Sequence, residues 1–106
     1  RIPTMIFDEV DSGVGGGIAE IVGQQLRLLG NTNQVICITH LPQVASQAHQ
    51  HLRVQKMSKQ EQTRTNVYPL NQNERIEEIA RMLSGVEITK QSLAHAEDMI
   101  VRAQAS

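Results

Sequence analysis

The pattern of apolar positions changes period several times along the chain. Thr4 to Phe7 is a short apolar run bounded by Pro3 and by acids. Its length and lack of alternation predict a strand buried on both faces, as in a parallel sheet. Asp11 to Gly17 is a turn-rich loop holding four glycines. From Ile18 the spacing becomes helical. Ile18, Ile21, Val22, Gln25, Leu26 and Leu29 fall on one face, with only Gln25 polar. Gly30 follows the last of them and is a natural helix stop. Val35 to Thr39 reads as a second buried strand with His40 at its end. Pro42 suits the first turn of a short helix running to about Ala48. This strand–helix–strand order predicts a parallel pair joined by a right-handed crossover.

The second half of the chain reads differently. Leu52 to Lys56 and Thr63 to Leu70 flank a polar loop and predict a hairpin. Asn71 with Glu74 has the spacing of a capping box. The helix behind it carries Ile76, Ile79, Ala80 and Leu83 on one face, and Gly85 ends it. Thr89 caps a last helix with Leu93, Ala96, Ile100 and Ala103 at helical spacing. No repeat, low-complexity tract or linker divides the chain, so it reads as one α/β unit.

Composition narrows the function classes. Aromatics are 2% of the residues, so the core must be built from Ile, Val, Leu, Met and Ala, and recognition by stacking bases on aromatic platforms is excluded. The net charge of -1 excludes a polycation holding DNA by charge alone. Arg53, Lys56, Lys59 and Arg64 form a local basic cluster around the hairpin. It reads as a solvated turn; a DNA-binding hairpin is the alternative and rests on the cluster only. The lone cysteine, Cys37, allows no disulfide within the chain, as suits a reducing cytosol. No apolar run approaches the roughly 20 residues of a membrane helix, and no signal peptide is visible. The chain enters its first strand directly after Arg1-Ile2-Pro3, so further residues are expected upstream.

The most informative segment is Met5-Ile6-Phe7-Asp8-Glu9. An apolar strand ending in Asp-Glu presents two carboxylates at the sheet edge where open α/β sheets bind ligands. The first can hold Mg²⁺ and the second can orient or deprotonate an attacking water. Standing alone, such a pair is an ordinary solvated strand end. Its weight comes from the glycine-rich Asp11-Ser12-Gly13-Val14-Gly15-Gly16 loop, which permits close backbone approach, and from His40. Parallel strands would bring His40 to the same edge, where it could donate a hydrogen bond to a γ-phosphate. The loop is not a phosphate-binding P-loop, since no Lys-Ser or Lys-Thr follows the glycines. A Cys37 nucleophile is disfavoured because the thiol sits inside an apolar strand. His40, His49 and His51 lack structural-zinc spacing, and His49 and His51 read as surface-turn residues.

Together these segments resemble a known family. Thr4-Met5-Ile6-Phe7-Asp8-Glu9-Val10-Asp11 resembles the Walker B motif of ABC-type and SMC-type ATPases. Ser12-Gly13-Val14-Gly15-Gly16 stands where those proteins have the D-loop, and Ile36-Cys37-Ile38-Thr39-His40-Leu41-Pro42-Gln43-Val44-Ala45 resembles their switch-histidine segment. The strings Phe7 to Gly16 and Thr39 to Ala45 are similar to those of the RecN family of SMC-like double-strand-break repair proteins. So are the Thr63-Arg64-Thr65 strand and the Glu77 to Leu83 helix. The resemblance implies an α/β fold: a parallel-sheet fragment of a P-loop ATPase head, with a C-terminal hairpin and two helices. It implies a cytoplasmic, nucleoid-associated ATPase. Asp8 would be the Mg²⁺-site acid, Glu9 the catalytic base and His40 the γ-phosphate switch. Asp11, Ser12, Gly13, Gly15 and Gly16 would act around ATP across a homodimer of heads, and DNA would be the partner of the full-length protein. Gly15 stands where the wider superfamily has a D-loop aspartate, so that side chain's contacts do not transfer. The P-loop and the Ser-Gly-Gly signature are expected upstream. Leu83-Ser84-Gly85 is not that signature, because Val86 follows and the segment ends a helix. The alternatives are an SMC-type chromosome-organising head and a non-catalytic dimerisation module with a degenerate nucleotide site.

Overall fold

A computed structural model describes residues 4–8, 15–59, 62–85 and 87–105. The elements run β1 (Thr4–Asp8), α1 (Gly16–Gly30), β2 (Gln34–Ile38), α2 (Pro42–Ala45), β3 (Leu52–Lys59), β4 (Gln62–Pro69), α3 (Gln72–Ser84) and α4 (Lys90–Gln104). β1 and β2 pair in parallel from Thr4↔Gln34 to Asp8↔Ile38, with α1 as the crossover. β3 and β4 form the expected hairpin, antiparallel from Leu52↔Pro69 to Lys59↔Gln62. The fold is thus mixed α/β with two small two-stranded sheets.

The core lies among the helices. Ala45 of α2, Ile79 and Ala80 of α3, and Ala96 and Ile100 of α4 are buried together, with Ile76, Met82, Leu83, Leu93 and Met99 packed around them. Burying a side chain the size of Ile79 or Ile100 stabilises by roughly 1.5–3 kcal/mol, and the two are the largest fully buried side chains among the described residues. The caps direct this packing. Asn71 Oδ1 accepts from the Glu74 amide at 2.8 Å while Glu74 Oε1 accepts from the Asn71 amide at 3.0 Å, which completes the expected capping box. Thr89 and Ser92 make the same reciprocal pair at the start of α4. Gly85 ends α3 at φ +83°, a conformation that favours glycine.

Five expectations need correction. The central strands are not buried on both faces. Met5, Phe7, Val35 and Cys37 share a half-buried face, whereas Ile6 is 68% exposed and Ile36 and Ile38 are also exposed. Among the described residues the helices cover one side of the pair. α1 begins at Gly16 rather than Ile18, because Gly15 already takes the extended N-cap conformation and its carbonyl accepts from the Ala19 amide at 2.9 Å. Gly30 does not turn the chain out of the helix. α1 closes instead through Asn31 at φ -69°, with the Asn31 and Thr32 amides donating to Leu28 and Leu29. The buried face of α1 is Ala19 and Gly23, with Ile18, Ile21 and Leu29 exposed. α2 is also short, four residues followed by turns rather than a helix to Ala48.

Candidate functional site

Strand pairing determines what stands at the C-terminal rim of the small parallel sheet. Asp8 closes β1 opposite Ile38, the last residue of β2. His40 follows two residues later, just beyond the C-terminal end of β2. The Asp8 carboxylate and the His40 ring are both on exposed residues. Thr39 makes the turn between β2 and α2, its hydroxyl oxygen accepting from the Leu41 amide at 3.0 Å. Pro42 then opens α2, since its fixed φ and missing N–H suit the first helical position.

The end of the glycine-rich segment reaches the same region. Gly16 begins α1 beside α2, and a Cβ there would stand 3.4 Å from Gln43 Nε2. Two turns on, Gly23 permits close crossing of the two helices: a Cβ at that position would lie 2.9 Å from the Gln43 carbonyl oxygen and 3.2 Å from Val44 Cα. The chain segments on either side of the sheet edge are therefore joined through α1–α2 packing. Glu9, Asp11, Ser12 and Gly13 lie outside the described residues. Gly15 and Gly16 are described and are exposed.

Two arginines grip the far end of α2. Arg75 of α3 is 4% exposed, and its Nη2 donates to the carbonyl oxygens of Ser46 at 2.9 Å, Ala48 at 2.6 Å and Ala45 at 3.3 Å. Arg27 of α1 donates to the Gln47 carbonyl at 2.8 Å. Carbonyls at a helix C-terminus have no intrahelical donors, and the dipole there favours cations. Neither arginine was visible as functional in the sequence. The available signal was that Arg75 stands four residues before Ile79, on the apolar face of α3, where a charged residue needs a specific partner. Gly23 carried a similar signal, four residues after Ala19.

His49 and His51 lie next to this clamp. His49 is exposed, as expected, with Nε2 3.1 Å from Asn31 Oδ1. His51 is half-buried rather than on the surface, because its ring sits by Arg75. Burial, then the Arg75 charge, hold the His51 pKa below its ordinary value, with Glu78 opposing. Burial and the charges of Arg27 and Arg75 lower that of His49. A folded pKa below the unfolded value of about 6.5 means that the unfolded chain takes up protons first as pH falls. The stability is therefore complete above about pH 6.5 and declines below it as pH falls towards the folded pKa. The thermal midpoint of the full-length protein should drop between about pH 7.5 and about pH 5.5, and His51→Gln should flatten that drop. An identical pH slope in the variant would show that His51 does not supply it.

Among the described residues no group of three or more His, Cys, Asp or Glu could hold a metal ion, and no helix is long and apolar enough to cross a membrane. The Cys37 side chain is half-buried in β2. In the basic hairpin, Arg53 Nε is 3.6 Å from Glu78 Oε2, which ties β3 to α3. The side chains of Lys56, Lys59 and Arg64 lie outside the described part.

No family model matches the chain. Whole sequences do. It is 52% identical over 103 residues, 97% of its length, to the DNA repair protein RecN of Xylella fastidiosa strain 9a5c. It is 48% identical over 101 residues to RecN of Vibrio cholerae, and 42% identical over 102 residues to RecN of Bacillus subtilis. The chain belongs to the RecN family. It spans 18% of the length of each of these RecN relatives.

Proposed function

We propose that this chain is the C-terminal portion of the ATPase head of a RecN-type protein acting in repair of DNA double-strand breaks. The observation that carries the reading is the parallel β1–β2 register, which ends both strands at one edge with Asp8 on the first and His40 just beyond the second. In an α/β sheet of this kind, that edge is where a nucleotide would bind.

In this reading Asp8 holds Mg²⁺, Glu9 takes the proton of the attacking water, and His40 donates to the γ-phosphate. Asp8 offers one exposed carboxylate at the end of β1, and Mg²⁺ takes few protein ligands and keeps most of its waters. When bound, the ion would neutralise charge on the transferred phosphate. The Asp11, Ser12, Gly13, Gly15 and Gly16 segment, at the start of α1, would face the nucleotide and a second head in a homodimer. DNA would engage the full-length protein, in the cytoplasm and at the nucleoid.

The sequence holds no Gly-x-x-x-x-Gly-Lys-Ser/Thr, so this chain alone should show no ATP turnover. The full-length protein should hydrolyse Mg-ATP, and Asp8→Asn should reduce turnover roughly a hundredfold or more, since the loss of several kcal/mol of charge stabilisation is at stake. Full-length protein that forms dimers yet never hydrolyses ATP would instead identify a non-catalytic dimerisation module.

A further inference from the structure

We infer that Arg75 is a positioning residue for His40, holding α2 as a rigid strut between the C-terminal helices and the sheet rim. The inference rests on the reading of His40 as a nucleotide-contacting residue, and goes beyond it by assigning α3 a part in the site.

The geometry has three parts. α2 begins two residues after His40, and the Thr39 hydroxyl closes the connecting turn on the Leu41 amide. A helix of four residues has too few internal hydrogen bonds to hold itself, so its position depends on what grips its ends. The grip is Arg75. A single guanidinium nitrogen binds the carbonyls of Ala45, Ser46 and Ala48, and the residue is almost wholly buried.

Two further observations say that this clamp does more than fill space. A buried cation needs compensation. Among the described residues no carboxylate pairs with Arg75, so backbone carbonyls at the end of α2 provide it. Arg75 is also anchored in a firm element. α3 opens on a complete capping box and packs Ile79 and Ala80 into the core one turn further on. α2 is thus fixed from α3 by Arg75 and from α1 by Arg27 and the Gly23 crossing. Of these holds, only Arg75 meets three carbonyls.

The test uses the full-length protein with Arg75→Met, Arg75→Lys, His40→Ala and the double variant His40→Ala/Arg75→Met. Hydrogen exchange of the peptide spanning 39–48 should quicken by roughly tenfold or more in Arg75→Met, with α4 unchanged. Its kcat for ATP should fall roughly 10–100-fold with little change in KM, as expected for a small misplacement of a contacting group. Arg75→Lys should recover part of the loss, since an ammonium keeps the charge without the fork. The double variant should lose no more than His40→Ala alone, because both act through one group.

Losses that multiply in the double variant, or an Arg75→Met enzyme with slow exchange and full kcat, would overturn the inference while leaving His40 in the site. A silent His40→Ala would instead remove His40 from the nucleotide reading, and Arg75's catalytic part with it, whatever the exchange data show. If Arg75→Met fails to fold, Arg75→Lys carries the same comparison: a kcat loss absent from Lys, or unrelated to exchange at 39–48, overturns the proposal.

Discussion

In the full-length protein, Glu9→Gln is expected to lower ATP hydrolysis by roughly 10²–10⁴-fold, the range for removing a positioned general base. ATP binding is expected to survive. The substitution keeps the size and polarity of the side chain and removes only its capacity to accept a proton. Asp8 remains in place at the end of β1, opposite Ile38. Single-turnover hydrolysis measured beside equilibrium ATP binding separates the two effects. Unchanged turnover would take Glu9 out of the base role. Lost binding would mean that the carboxylate contributes to the ground-state site instead. Either result would leave the family membership untouched, because that rests on sequence identity over 97% of the chain.

Gly23→Ala is expected to destabilise the full-length protein by about 1–3 kcal/mol, the range for overpacking a tight contact. Helix propensity pulls the other way by about 1 kcal/mol. The steric term should win, because the nearest atoms include backbone: the Gln43 carbonyl oxygen at 2.9 Å and Val44 Cα at 3.2 Å. Gly17 provides the control. It lies in the same helix with nothing within 4 Å of an added Cβ, so Gly17→Ala should be neutral or stabilise by about 0.5–1 kcal/mol. Thermal unfolding of the two variants side by side tests the α1–α2 crossing. Equal shifts would mean that the helices do not approach so closely at Gly23.

The elements announced by strong local signals were the legible ones. Asn71 with Glu74, Thr89, and Gly85 mark the ends of α3 and α4 by chemistry that acts within four residues. The Ile79, Ala80, Ala96, Ile100 and Ala103 periodicity identified a face that is indeed buried. The hairpin was equally plain, although its strands pair over more residues than its apolar runs span. The α1 face was misjudged for a physical reason. Periodicity selects large apolar residues, but where two helices cross closely the buried positions are the small ones, here Ala19 and Gly23. The fate of Ile18 and Ile21 depends on what lies against them, which apolar spacing alone does not specify.

Local sequence by itself determined the α/β order, the caps, the acidic end of β1 and the histidine beyond β2, because each depends on neighbours along the chain. It also determined the family, through strings such as Phe7-Asp8-Glu9-Val10-Asp11 and Thr39-His40-Leu41-Pro42. Only the tertiary structure decided that β1 and β2 end in register, that Gly23 lets α2 approach α1, and that Arg75 grips carbonyls some thirty residues away. Those contacts join parts of the chain whose separation carries no periodic signal, so they exist only once the helices and strands have packed.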